Sequence, residues 1–73
     1  MIEIDIKESK NLKRVYFLSE NNELWIFFNS NQIYKYENIP FDIILEFQRA
    51  KNSGEFFYHN IRDKFKYKKY KRY

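Results

Sequence analysis

At 73 residues the chain has room for one domain, and so small a domain buries a limited share of its surface; its 22% aromatic content must supply dense packing, each ring bringing about 150–250 Å². There is no cysteine and one histidine, which excludes a disulfide framework and a thiolate metal site and leaves no metal or cofactor expected. The net charge of +4 is lopsided: residues 1–60 hold 7 Lys/Arg against 9 Asp/Glu, and residues 61–73 hold 7 against 1, so the basicity belongs to the end of the chain.

"IEIDI" alternates, with Ile2, Ile4 and Ile6 on one face and Glu3 and Asp5 on the other, the period of a half-buried edge strand. "NLKRVYFLS" carries Leu12, Val15, Tyr16, Phe17 and Leu18, and the polar cluster Ser19 to Asn22 behind it is turn chemistry. In "ELWIFFN", Leu24, Ile26 and Phe28 point one way and Trp25 and Phe27 the other, so this strand is apolar on both faces. Ser30 and Asn31 suit a tight hairpin, because Asn tolerates the positive φ such turns need, and "QIYKYE" returns as the next strand. Strands joined this closely pair antiparallel, since a parallel pair needs a crossover of about a dozen residues or more.

After Ile39 the period changes. Pro40 suits the first turn of a helix, and Asp42 lies near the positive end of the macrodipole. "PFDIILEFQRA" places Asp42, Glu46 and Arg49 on one face and leaves Phe41, Ile43, Ile44, Leu45 and Phe47 to pack inward. Ser53 is read as the cap of a short second helix through "GEFFYHNI". "KFKYK" alternates again as a C-terminal strand, which leaves residues 70–73 as a free basic arm. The expected class is α+β: a small antiparallel β-meander of three to four strands packed against one main helix and a short second helix, with a C-terminal strand. One domain spans residues 1–73, its core at 9–69, and the C-terminal half is expected to cover the second apolar face of "ELWIFF".

Five pieces in this order resemble the KTSC domain, a short module at the C-terminus of some lysyl-tRNA synthetases that also stands alone in bacteria and phages. They are Tyr34-Lys35-Tyr36, the helix start Ile39-Pro40, the stretch with Ala50, Ser53, Gly54, Phe56 and Phe57, the pair Ile61-Arg62, and Phe65 with Tyr67. Ser53 and Gly54 are adjacent where the family pattern is Ser-x-Gly, and Tyr58 stands where the family often has Asn. The synthetase fusion implies RNA binding, as an association that assigns no site.

Two readings of Tyr34 and Tyr36, which share a strand face, stand side by side: packed aromatic pairs with hydroxyls at the rim, or a surface that stacks single-stranded bases. Arg62 suits a phosphate fork or an ion pair with an acid such as Glu55. Lys64, Lys66, Lys68, Lys69, Lys71 and Arg72, interleaved with Tyr67 and Tyr70, read as a solubilising terminus or as a polyanion contact. His59 lacks a visible carboxylate or nucleophile partner, so no catalysis is expected.

The function expected is a non-catalytic module that binds RNA, single-stranded or tRNA, or another nucleic acid through these aromatic and basic residues. The alternative is a protein-interaction or inhibitor module of phage or mobile-element type, or self-association, through an apolar sheet face. "MIEIDIKESK" lacks the order of a secretory signal, and no apolar run approaches the ~18 residues of a spanning helix, so a cytoplasmic protein without a membrane partner is expected.

Overall fold

A five-stranded antiparallel sheet carries both helices on one face. The computed structural model describes residues 1–71. Strands β1 (Ile2–Ile4), β2 (Leu12–Leu18), β3 (Glu23–Phe28), β4 (Gln32–Tyr36) and β5 (Tyr67–Lys71) lie across the sheet in chain order, and α1 (Phe41–Arg49) and α2 (Ser53–Asn60) are inserted between β4 and β5. The α+β meander read from the sequence is therefore the observed class, with β1 at one edge and β5 at the other.

Asparagine makes the turns. Asn22 (φ 54°) closes β2 to β3 and Asn31 (φ 70°) closes β3 to β4, both in the left-handed region that Asn enters more readily than most residues. The period-2 pattern of β2 contains an irregularity that a bulge resolves. Register shifts between Leu12 and Arg14, so Leu12 faces Phe28 and Arg14 faces Phe27. The extra residue lets Leu12 share the buried face with Val15 and Phe17, which strict alternation forbids.

The core lies between that face and the helices. Ile4, Val15, Phe17, Leu24, Ile26 and Tyr36 from the sheet meet Ile44 and Phe47 of α1 and Phe57 and Ile61 at α2. Burying a side chain of this size is worth about 1.5–3 kcal/mol, which makes this cluster the main source of stability. In α1, Ile44 and Phe47 are buried and Ile43 is half-buried, whereas Phe41 and Leu45 are exposed. A stripe at 3.6-residue spacing turns only part of an apolar run inward, which corrects the expectation that all five pack inside.

The cap of α2 is Asn52, whose Oδ1 accepts from the Glu55 backbone N–H at 2.9 Å. Ser53 is the first helical residue. It is fully buried, its Oγ accepts from the Lys7 backbone N–H at 2.7 Å, and its own N–H donates to the Lys7 carbonyl at 2.6 Å. The serine read as a cap thus ties the chain after β1 to α2.

The C-terminal strand begins later than "KFKYK". Residues 61–65 turn after α2, with Ile61 buried and Phe65 half-buried against the core, so the chain reaches the β4 edge only at Tyr67. β5 pairs Tyr67 with Tyr36, Lys69 with Tyr34, Tyr70 with Ile33 and Lys71 with Gln32. Tyr70 and Lys71 belong to the sheet and not to a free arm; Arg72 and the last residue of the expected arm lie outside the described residues.

The expected cover of the second sheet face is likewise corrected. β5 extends the sheet sideways and satisfies the backbone of β4, and among the described residues no helix packs on the face of Tyr16, Trp25, Phe27 and Ile33. These side chains shield one another instead. Tyr16 and Phe27 meet edge to face at 5.7 Å, and Tyr70 stacks on Trp25 at 5.4 Å.

Candidate nucleic-acid interface

β5 sends its residues alternately to the two faces, so the basic segment is divided. Tyr67 and Lys69 stand on the helix side of the sheet, and Lys68 and Tyr70 on the other. On the helix side the rings of Tyr34 and Tyr67 are parallel, 5.0 Å apart and 2° between planes, and Lys69 Nζ lies 5.4 Å over the Tyr34 ring. The structure brings these three expected residues together.

On the opposite face Lys35 Nζ lies 5.9 Å from the centroids of both Trp25 and Tyr70, and 3.5 Å from Glu23 Oε2. Glu23 Oε1 accepts from the Trp25 indole N–H at 3.3 Å. Desolvation pulls the Lys35 ammonium down, but the Tyr70 hydroxyl and the charge of Glu23 outweigh it and hold its pKa above the ordinary lysine range. Lys68 pairs with Lys35 across the strands. Two cations side by side on an aromatic floor make this face receptive to an anion.

Tyr34 also lines a cavity of about 350 Å³ between α2 and the end of the sheet formed by the start of β2 and the β3–β4 hairpin. Phe28, Phe57 and Tyr58 supply further rings, and Asn11, Asn29, Ser30 and Gln32 supply amides and a hydroxyl. Its wall at α2 includes Gly54, where an added Cβ meets Ser9 Oγ at 3.2 Å, tighter than ordinary contact.

Tyr36 lies at the bottom, 0% exposed, and its hydroxyl has no hydrogen-bond partner among the described residues. Burial holds that hydroxyl protonated well above the usual phenol range, with Tyr67 and Tyr34 acting in the same direction and Arg62 against them. A ring so enclosed offers no face for stacking. Tyr36 therefore departs from the exposed-platform reading, and its hydroxyl is sealed behind the cavity wall.

Arg62 reaches the same cavity. Its guanidinium lies 5.1 Å over the ring of Tyr58, itself 57% exposed, and it makes no ion pair with Glu55 or another carboxylate among the described residues. Lys64 is exposed in the turn after α2, and Lys66 is exposed just before β5, its carbonyl accepting from the Glu37 N–H at 2.9 Å. These two lysines are not gathered into the aromatic cluster. Lys71 closes β5 opposite Gln32.

The sequence reading missed Phe28, Phe57, Tyr58 and the hairpin amides as partners of Tyr34 and Arg62. Tyr58 in α2 and Arg62 in the turn after it, four residues apart, carried the signal of a ring and a cation close together. Among the described residues no three His, Asp or Glu side chains gather as metal ligands would, and no helix is long and apolar enough to cross a membrane.

The sequence model of the KTSC domain matches residues 8–65. The chain belongs to the KTSC domain family. The match takes in the sheet from β2 to β4, both helices and Arg62, and stops before Tyr67 and the rest of β5. A crystal structure of a KTSC domain protein from Yersinia pestis is similar throughout, with a TM-score of 0.82 and 26% identity, over 90% of this chain and 93% of that one. No curated protein matches the chain.

Proposed function

We propose that this KTSC domain is a non-catalytic module that binds single-stranded nucleic acid, RNA in preference to DNA, along the β4–β5 edge on the helix side. The observation that carries the reading is Lys69 held over Tyr34 while Tyr34 stacks on Tyr67, a half-exposed ring pair with a cation, next to a cavity that holds Arg62. Bases stack on such rings at about 1–3 kcal/mol each without regard to sequence, and the cations hold the backbone. The preference for RNA rests on the resemblance to modules fused to lysyl-tRNA synthetases.

Fluorescence anisotropy with labelled oligouridine in a salt series tests this. The expected result is binding at low salt whose log affinity falls with log salt, by about 0.7 per phosphate neutralised. Absence of binding at low salt, or binding with no salt slope, removes the proposal.

A second reading is favoured by one feature, the face of Tyr16, Trp25, Phe27 and Ile33 that no helix covers among the described residues. A protein contact or self-association there would appear as a concentration-dependent mass in light scattering.

A further inference from the structure

We propose that the cavity between α2 and the hairpin end of the sheet is a subsite for one unstacked nucleobase, with the attached phosphate on Arg62. This rests on the nucleic-acid reading above and gives it a particular pocket. The cavity, at about 350 Å³, falls in the lower part of the ~300–1,000 Å³ range of ligand pockets.

Its chemistry narrows the occupant. A bare anion needs Arg62 but not the rings of Phe28, Tyr34 and Phe57, and an aliphatic group has no use for the amides of Asn11 and Gln32. A flat heteroaromatic ring with polar edges and an attached anion uses all of them. The Tyr36 hydroxyl is sealed from the cavity, so the groups that can reach an occupant are the rings, the amides and Arg62. Arg62, free of carboxylates among the described residues and lying on Tyr58, presents a planar fork suited to a phosphate. Lys69 over Tyr34 is the next cation along the strand edge.

Amide NMR spectra of the wild type and of Arg62→Gln, recorded with oligouridine, uridine monophosphate, adenosine monophosphate and inorganic phosphate, test the subsite. Gly54 is the one glycine of the chain and lines the cavity, so its resonance reports occupancy there. The expected result is saturable movement of Gly54 with oligouridine and at least one mononucleotide, none with phosphate, and affinity about 10-fold weaker in Arg62→Gln, the worth of one charge-assisted hydrogen bond. Arg62 is exposed and makes no ion pair among the described residues, so the melting temperature of the variant holds and a folding defect does not mimic the loss.

If oligouridine binds with a salt slope while Gly54 stays still and Arg62→Gln binds equally, the subsite is wrong and the nucleic-acid reading stands. If phosphate alone reproduces the shifts, the cavity is an anion site and the base is excluded. If no oligonucleotide or mononucleotide binds at low salt, both proposals fall.

Discussion

Tyr70 of β5 reaches across β4 to stack on Trp25 of β3, ring centroids 5.4 Å apart and planes 26° from parallel. The two residues are 45 positions apart, and the contact exists because β5 joins the β4 edge with Tyr70 opposite Ile33. The last described strand therefore supports the face on which the only tryptophan sits.

Replacing Tyr70 with alanine is expected to destabilise the domain by about 1–2 kcal/mol, from a ring pair worth ~0.5–1.5 kcal/mol and the area it covers. Emission of Trp25 should move to the red in the native state. Urea unfolding followed by that emission measures both effects, and an unchanged midpoint and spectrum would show that β5 ends before Tyr70.

Tyr36→Phe is expected to raise stability at neutral pH by about 1 kcal/mol, since a buried polar group without a partner costs ~1–3 kcal/mol. The pH dependence follows from the same burial. The folded state holds the Tyr36 proton more tightly than the unfolded chain does, so this stabilisation is complete below the ordinary tyrosine pKa of about 10 and is lost as pH rises through the folded value. Lys35, also raised, titrates in the same sense in both proteins. Urea midpoints above pH ~10 should therefore fall more steeply in the wild type than in Tyr36→Phe; parallel curves would mean that the hydroxyl reaches solvent in the folded state.

Lys68 and Lys69 are neighbours in sequence and point to opposite faces, so they separate the two sides of the interface. Lys69→Gln is expected to weaken oligouridine binding several-fold and to reduce the salt slope by about 0.7, whereas Lys68→Gln changes both less. The reverse order in a pair of anisotropy salt series would move the binding surface to the face of Trp25 and Tyr70.

Ser53→Ala should cost about 1–3 kcal/mol, because it leaves the part-buried Lys7 N–H without its acceptor. Asn52→Ala should cost about 1 kcal/mol through loss of the helix cap. Chemical denaturation ranks the two, and a loss at Ser53 no larger than that at Asn52 would mean that the Lys7 N–H finds another acceptor.

Much of this fold is legible because it is local. Alternation in Ile2 to Ile4 and in Leu24 to Phe28, asparagine at Asn31, and Pro40 before an apolar stripe act through neighbours in the chain, and spacing alone makes β2, β3 and β4 antiparallel. The resemblance placed the family on five short pieces, and the match to residues 8–65 bears it out.

Legibility ended where several elements compete for one face. Which of Phe41, Leu45 and Phe47 turns inward, and whether Ser53 or Asn52 caps α2, depend on contacts with strands far away in sequence. The basic end shows the division most clearly. Composition alone determined that cations and rings are interleaved there, since that property belongs to the chain. Tertiary structure alone decided that Tyr67 and Lys69 join Tyr34, that Tyr70 joins Trp25, and that the Tyr36 hydroxyl is buried without a partner among the described residues. Strand register assigns those faces, and a shift of one residue in β5 would exchange them all.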